Sequence, residues 1–491
     1  MPRLYEKTIY TGTFICTPKL DSLNVEENLA IGVDEDGVIR HRSSLFLKDN
    51  AQNNDDFEDD ITQVKATAIE WGWGKGGWKW VRAGNQGNTW WFPGFIDTHI
   101  HASQYPNTGL FGKTTLLSWL QTYTYPLEAS LSSSQKARTV YNRCVARTLS
   151  HGTTTAAYYA TAHAASTNIL ADVCWERGQR AFVGRVCMDT DLSPEYYRDE
   201  SPEFAIDETK AVIGYINRID PANELLTPIL TPRFAPSCSA ELLSRLGGLA
   251  SETQLPIQTH ISENTSEIAL VKEKFPDQAT YADVYAAHGL LTPRTVLAHG
   301  IHLSPPEHLL LSHHRACISH CPTSNTSLSS GLCPVRTLLN KNIRVGLGTD
   351  VSGGYSSSIL HAARDAAMVS RTLAAVGGGG GGEEGADGDR EGKKLGVEEC
   401  LFLATRGGAE CLGLGGRVGG FEVGMEWDAQ FVKLDVVGEG EGGGDGGSRR
   451  EGPVELWGGE NWEEKLAKWL FCGDDRNTKK VYVKGRLVHE K

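Results

Sequence analysis

Residues 91–101, WFPGFIDTHIH, run through apolar side chains into Asp97-Thr98-His99-Ile100-His101. Side chains alternate faces along a strand, so His99 and His101 project the same way. Seven further apolar runs follow. They are GTTTAAYYA (152–160), RAFVGRVCM (180–188), LLTPILTPRF (225–234), PIQTHISE (256–263), VLAHGI (296–301), ACISHCP (316–322) and IRVGLGTD (343–350). The segments between them mostly have room for a helix. The shortest, 302–315, holds about three turns. Such strands alternating with helices indicate a parallel sheet covered on its outer face. Eight units over ~260 residues fit a closed α/β ring, the (β/α)₈ TIM-type barrel. A doubly wound open sheet would place a glycine-rich fingerprint after the first strand, where this chain reads DTHIHASQYPN.

Outside that stretch the pattern changes. Residues 1–48 and 418–488 carry β-like runs such as KTIYTGTFIC, DAQFVKLDVV and KKVYVKGRLV. They predict a small β-domain formed by both chain termini, residues 1–90 and 413–491, beside a barrel of residues 91–412. Residues 49–60, 376–394 and 438–452 are acidic or rich in glycine and charge. Their composition buries too little apolar surface to offset ordering entropy, which predicts disordered insertions. No phosphate-loop pattern accompanies the glycines. Six tryptophans fall in residues 71–91, and the expectation there is a glycine-punctuated hairpin packed on a neighbouring sheet, ahead of a sugar or partner surface.

Charge narrows the function classes. Forty-eight basic against sixty-one acidic residues leave −13, which disfavours nucleic acid as a partner and adhesion to anionic membranes. No run of ~18 apolar residues suggests a membrane span. The first residues, MPRLYEKTIYTGTFIC, hold no apolar signal centre. Eleven cysteines, an odd number without a C-x-x-C pair, then suggest reduced thiols in the cytoplasm. Any metal must be held mainly by histidines and carboxylates.

In a barrel, polar residues at strand C-termini converge on one site. His99 and His101 end the first strand, His260 the fifth, His299 the sixth and Asp350 the eighth, with Glu263 just past His260. Three of these histidines and a carboxylate make a hard-to-borderline divalent site, best matched by zinc. An apolar interior without a partner ion would be a costly place for these groups.

The motifs PGFIDTHIHASQY, THISEN, LAHGIHLS, HCPTSN and GLGTD resemble, in order, the strand-end motifs of the amidohydrolase superfamily. The resemblance covers residues 91–365 and reaches both flanks through GGFEVGMEWDAQFV and VYVKGRLV, which resemble that superfamily's closing strands and imply that the terminal domain is a small β-sandwich. More narrowly, HASQYPN, LLSWLQTYTYPLEA (116–129) and TPRFAPSC (231–238) resemble the guanine deaminases. The resemblance implies hydrolytic deamination of the purine base guanine to xanthine by a homodimer with one zinc ion per subunit. It implies His99, His101, His260 and Asp350 as ligands and Glu263 as proton shuttle. His299 would lie beside the metal, and Asp350 would take a proton from the attacking water. Gln104, Arg233 and Phe234 would grip the base together with His260, Glu263 and Asp350. Arg233 has a rationale of its own, because its planar fork matches the adjacent O6 and N7 acceptors of guanine. The fourth strand, LLTPILTPRF, lacks the lysine that bridges two ions elsewhere in the superfamily, which argues for one metal.

Two alternatives compete. One is a sibling enzyme acting on an adenosine-type nucleoside, a pterin or a triazine. The other is a silent scaffold, disfavoured by the intact ligand set. Among the remaining candidates, His302, His308, His313 and His314 are expected on a solvated helix and His320 at the pocket wall. Cys321 is expected as a buried inert thiol.

Overall fold

Both chain ends are rich in β-branched and aromatic residues, and both become extended. In this computed structural model the described residues are 6–45, 47, 54–74, 76–83, 87–113, 115–376, 392–437 and 452–491. Strand β1 (Lys7–Lys19) pairs antiparallel with β2 (Ser22–Val33), and β2 with β3 (Ile39–Ser44). On its other side β1 runs parallel to β4 (Trp78–Arg82) and then to β5 (Thr89–Pro93). The tryptophan stretch is therefore not the hairpin expected. β1 is long enough to template both strands in turn, and the indoles fasten to it: Trp80 donates to the Thr11 hydroxyl (2.9 Å) and Trp91 to the Thr11 carbonyl (3.3 Å).

The acidic insertion also needs correcting. Residues 54–60 open a helix, Asn54–Glu70. Composition misled because the apolar stripe starts only at its end. Asp60, Val64, Thr67 and Ala68 recur at helical spacing and are buried, with Val64 and Ala68 packing near Ile9, Ala30 and Trp73. Asp60 is held by Arg82 at 2.9 Å. Residues 49–53 apart from this helix, 377–391 and 438–451 lie outside the described residues.

The barrel strands follow: β6 (Phe95–His101), β7 (Thr153–Tyr159), β8 (Arg180–Gly184) continued by β9 (Val186–Cys187), and β10 (Leu226–Pro228) continued by β11 (Thr231–Pro232). Then come β12 (Ile257–Ile261), β13 (Thr295–His299), β14 (Cys317–His320) and β15 (Arg344–Leu347). All eight expected runs form strands, arranged as two parallel arcs, β10-β8-β7-β6 and β12-β13-β14-β15. One seam is joined by Gln258 N–H to the Leu230 carbonyl (2.9 Å). At the other, Asp350 N–H donates to the His99 carbonyl (2.9 Å) and His101 N–H to that of Val351 (3.1 Å). This closes the α/β ring.

Helices cover its outside. Pro202–Ile219 shows why they form. The Ser201 side chain caps the Phe204 N–H and proline takes the first turn. Ala205, Thr209, Val212 and Ile216 bury one stripe. Full burial of Ile216 contributes about 2–3 kcal/mol, so a charge there would dislodge the helix.

After the barrel the chain returns to the first sheet. β16 (Ala429–Lys433) pairs with β5, and β17 (Asp435–Val436) with β18 (Glu455–Leu456). β19 (Thr478–Val483) joins β16, and β20 (Arg486–Glu490) joins β19. The eight-stranded sheet is thus built from both ends of the chain. Helix Trp462–Cys472 seals the barrel base, where Trp469 stacks on Phe95 at 5.7 Å and meets Phe92 edge-on at 5.1 Å.

Candidate active site

Strand geometry brings the expected residues to one rim. His99 Nε2 lies 3.1 Å from Asp350 Oδ1, and His101 Nε2 lies 3.4 Å from the same oxygen. His101 and His260 meet Nε2 to Nε2 at 3.2 Å. His299 Nε2 is 3.4 Å from Glu263 Oε2 and 3.8 Å from Asp350 Oδ2. The ligand atoms of His99, His101 and His260 all lie within 4.8 Å of one another, and so do those of His99, His299 and Asp350.

The backbone at the rim is strained. Ser262, His299 and Asp350 take φ of 49°, 75° and 45°, a region uncommon for residues with a Cβ. Asp97 stitches the first strand to the last by accepting from Thr349 N–H (3.1 Å) and hydroxyl (2.5 Å) and from His99 N–H (3.2 Å). Behind His99 only glycine fits at 348. A Cβ there would lie 2.6 Å from Ser319 Oγ and 2.8 Å from His99 Cβ.

Electrostatics in this rim pull in opposite directions. Burial pushes His99, His101 and His260 below their ordinary values, and crowding by neighbouring imidazoles pushes His101 and His260 further down. Burial also opposes the His299 cation, but Glu263 and Asp350 outweigh it and raise that imidazole. Burial would raise Asp350, yet His99, His299 and His101 hold its carboxyl well below the usual carboxylate range. Glu263 goes the other way, raised to about 7 mainly by burial.

The donor set fits a divalent cation. His260 Nδ1–H donates to the Arg233 carbonyl (2.5 Å), which turns its Nε2 lone pair toward the cluster. His101 Nδ1 and His299 Nε2 are buried with no hydrogen-bond partner. Neutral imidazoles beside an ionised carboxylate, with polar atoms unsatisfied, are the chemistry of a metal-binding cluster.

A cavity opens beside it. Its walls include His101, Gln104, Arg233, Phe234, His260, Glu263, His299 and Asp350, with Trp119 and Leu120. Every expected substrate residue therefore faces one space, while His99 lies behind it. His320 does not line this space. It is fully buried with neither ring nitrogen hydrogen-bonded, because β14 points it into the wall, and burial pushes it down to about 3. His308 is likewise buried rather than solvated, on the inner face of helix Pro305–His314. Cys321 is buried and its thiol is pushed well up by burial, so it is an inert thiol.

Residues 90–488 match the model of the amidohydrolase family. The chain belongs to the amidohydrolase family. This amidohydrolase is 50% identical over 397 residues to a probable guanine deaminase of Schizosaccharomyces pombe, spanning 81% of this chain and 71% of the relative. It is 39% identical over 480 residues to the guanine deaminase of Dictyostelium discoideum, spanning 98% of both chains. Its fold matches the crystal structure of guanine deaminase from C. acetobutylicum with bound guanine in the active site. That match has a TM-score of 0.80 and 31% identity, and it covers 99% of this chain and 100% of the other.

The amidohydrolase also holds site residues that strand-end reasoning passed over. Asn325 Oδ1 accepts from His299 Nδ1–H (2.9 Å), and the Ser330 hydroxyl donates to Glu263 Oε1 (3.2 Å). Glu128 holds both Gln104 and Arg233. Asn325 closes the HCPTSN motif and Glu128 lies in LLSWLQTYTYPLEA, so both were flagged by motif but given no role.

Proposed function

We infer that this amidohydrolase converts guanine and water to xanthine and ammonia. The observation that carries the reading is Arg233, which lines the same cavity as Glu263 and the histidine–aspartate cluster. Arginine offers five N–H donors, and two go to Glu128, leaving three for a ligand. Adjacent O6 and N7 acceptors match that fork. The guanine deaminases among its relatives support the same substrate.

In this reading His99, His101, His260 and Asp350 hold one zinc ion per subunit. Zinc supplies Lewis acidity, lowering the pKa of water from ~15.7 toward about 7. Gln104, Arg233 and Phe234 orient the base, with the Phe234 ring as an apolar face. Asp350, kept ionised by its histidine neighbours, accepts a proton from the attacking water. Glu263 sits near neutrality and can serve as acid and then as base. It protonates the ring nitrogen as the C2–O bond forms. As a carboxylate it then takes the proton left on the C2 hydroxyl and passes it to the amino group, so the C2–N bond breaks to release ammonia and the C2 carbonyl forms. The proton held by Asp350 returns to Glu263. His299, held by Asn325 through Nδ1, points Nε2 at Glu263 and Asp350 and steadies the developing charge.

We also propose a homodimer in the cytoplasm, with domain boundaries near residues 90 and 413. The resemblance to guanine deaminases supports the dimer. The eleven free cysteines fit a reducing compartment. The test of the function is the zinc-loaded protein mixed with guanine. Xanthine and ammonia should appear in equal amounts, whereas turnover of a pterin or triazine but not guanine would reject the substrate.

A further inference from the structure

Helix Tyr125–Ser130 carries Glu128, a fully buried carboxylate directly behind the substrate wall. Its Oε1 accepts from Gln104 Nε2 (2.9 Å) and Arg233 Nη2 (3.2 Å). Its Oε2 accepts from Arg233 Nη1 (2.7 Å) and the Tyr197 hydroxyl (2.8 Å). An ionised carboxylate has about four lone-pair sites, and here each has a donor. A neutral amide in its place could accept at one oxygen only, and its NH₂ would face donors.

The consequence reaches the cavity. Gln104 commits Nε2 to Glu128, while its Oε1 turns to Ser352, 3.3 Å from the backbone N–H. Arg233 lies over the Tyr125 ring at 5.1 Å, from the same short helix. Both side chains line the cavity, and what they have left to offer a ligand is N–H. A wall of donors selects a ligand edge made of acceptors and leaves its own donors unsatisfied against any other edge.

We propose that Glu128 is a positioning residue that sets substrate specificity, fixing Arg233 and Gln104 as a donor-only wall that selects a purine carrying an oxygen at C6. This rests on the reading of guanine as substrate. Glu128 does not line the cavity and its bonds go to Gln104, Arg233 and Tyr197, so it acts through the two of these that do line it.

The test compares metal-loaded wild type with Glu128→Gln, Glu128→Asp and Tyr197→Phe, assayed on guanine and on 2-aminopurine, which lacks the C6 oxygen. Glu128→Gln should raise KM for guanine about 10- to 100-fold, the effect of a lost charge-assisted bond, and leave kcat within about three-fold. The preference for guanine over 2-aminopurine should fall by a similar factor at unchanged metal content. Glu128→Asp, which keeps the charge, should recover part of both. An unchanged preference ratio in folded Glu128→Gln would overturn the proposal. So would an equal loss of kcat on both substrates. If Glu128→Gln does not fold, the other two variants decide: a lowered ratio supports the proposal, and a wild-type ratio in both overturns it. Failure of wild type itself to deaminate guanine would remove the underlying reading, a result distinct from any ratio.

Discussion

One wall of the pocket gathers His101 and His260 nitrogen to nitrogen at 3.2 Å beside Asp350, and leaves His101 Nδ1 and His299 Nε2 without hydrogen bonds. A second wall gives Glu128 a donor for every lone pair. Both are deeply buried, so solvent satisfies neither. Each wall is built for a different task. A saturated network holds its shape by itself, whereas a crowded set of depressed imidazoles around an ionised carboxylate is completed by a cation.

The comparison is broken most severely on the cluster side. His101→Ala or Asp350→Asn should abolish metal retention and reduce kcat/KM more than about 10⁴-fold. Chelation of wild type should lower its melting temperature, since the ion stabilises only the folded state. Neither treatment should loosen Arg233, so guanine should still quench tryptophan emission in the stripped protein.

Glu263→Gln comes next, with kcat down about 10²- to 10⁴-fold, the usual weight of a positioned proton-transfer group, and metal content unchanged. It also carries a pH signature. Burial raises this carboxyl from its ordinary 4.5 to about 7. The neutral form is the one the fold favours. Its stabilisation is complete below about 4.5 and is lost as pH rises through about 7, at most about 3 kcal/mol. In chelator at pH 8 Glu263→Gln should therefore melt above wild type, with the gap closing below pH 4.5. Thermal scans across pH check this.

On the saturated wall, Arg233→Ala should cost guanine about 10- to 100-fold in kcat/KM and leave metal content unchanged. It strands the Glu128 carboxylate, so a fall in melting temperature should accompany it. The smallest effect on activity belongs to Trp469→Ala at the barrel base. It should destabilise the protein by about 3–5 kcal/mol through the cavity it opens, with KM for guanine within about two-fold.

The cluster was legible in the sequence because its side chains sit at or beside strand ends, where a period-two pattern and the barrel rule fix direction. His99, His101, His260, Glu263, His299 and Asp350 all face one region for that reason. The saturated wall was half legible. Arg233 and Gln104 lie next to strand ends, but Glu128 comes from a helix between two barrel strands, and no local rule aims a helical glutamate inward. His320 shows the limit of the strand-end rule, since β14 turns it into the wall instead of the cavity. In the fold, eight apolar runs gave eight strands. Helix Asn54–Glu70 escaped because its acidic start hides the later stripe of Val64, Thr67 and Ala68. The Trp78–Arg82 and Thr89–Pro93 strands escaped as a non-hairpin because both pair with a strand some seventy residues away.

Metal analysis joined to X-ray absorption of the purified protein tests the central claim most directly. One zinc ion per chain is expected, in a nitrogen and oxygen shell with histidine scattering and no sulfur, lost in His101→Ala. A folded protein that binds no ion after zinc loading, or one whose ion is bound by sulfur or survives His101→Ala unchanged, would contradict it.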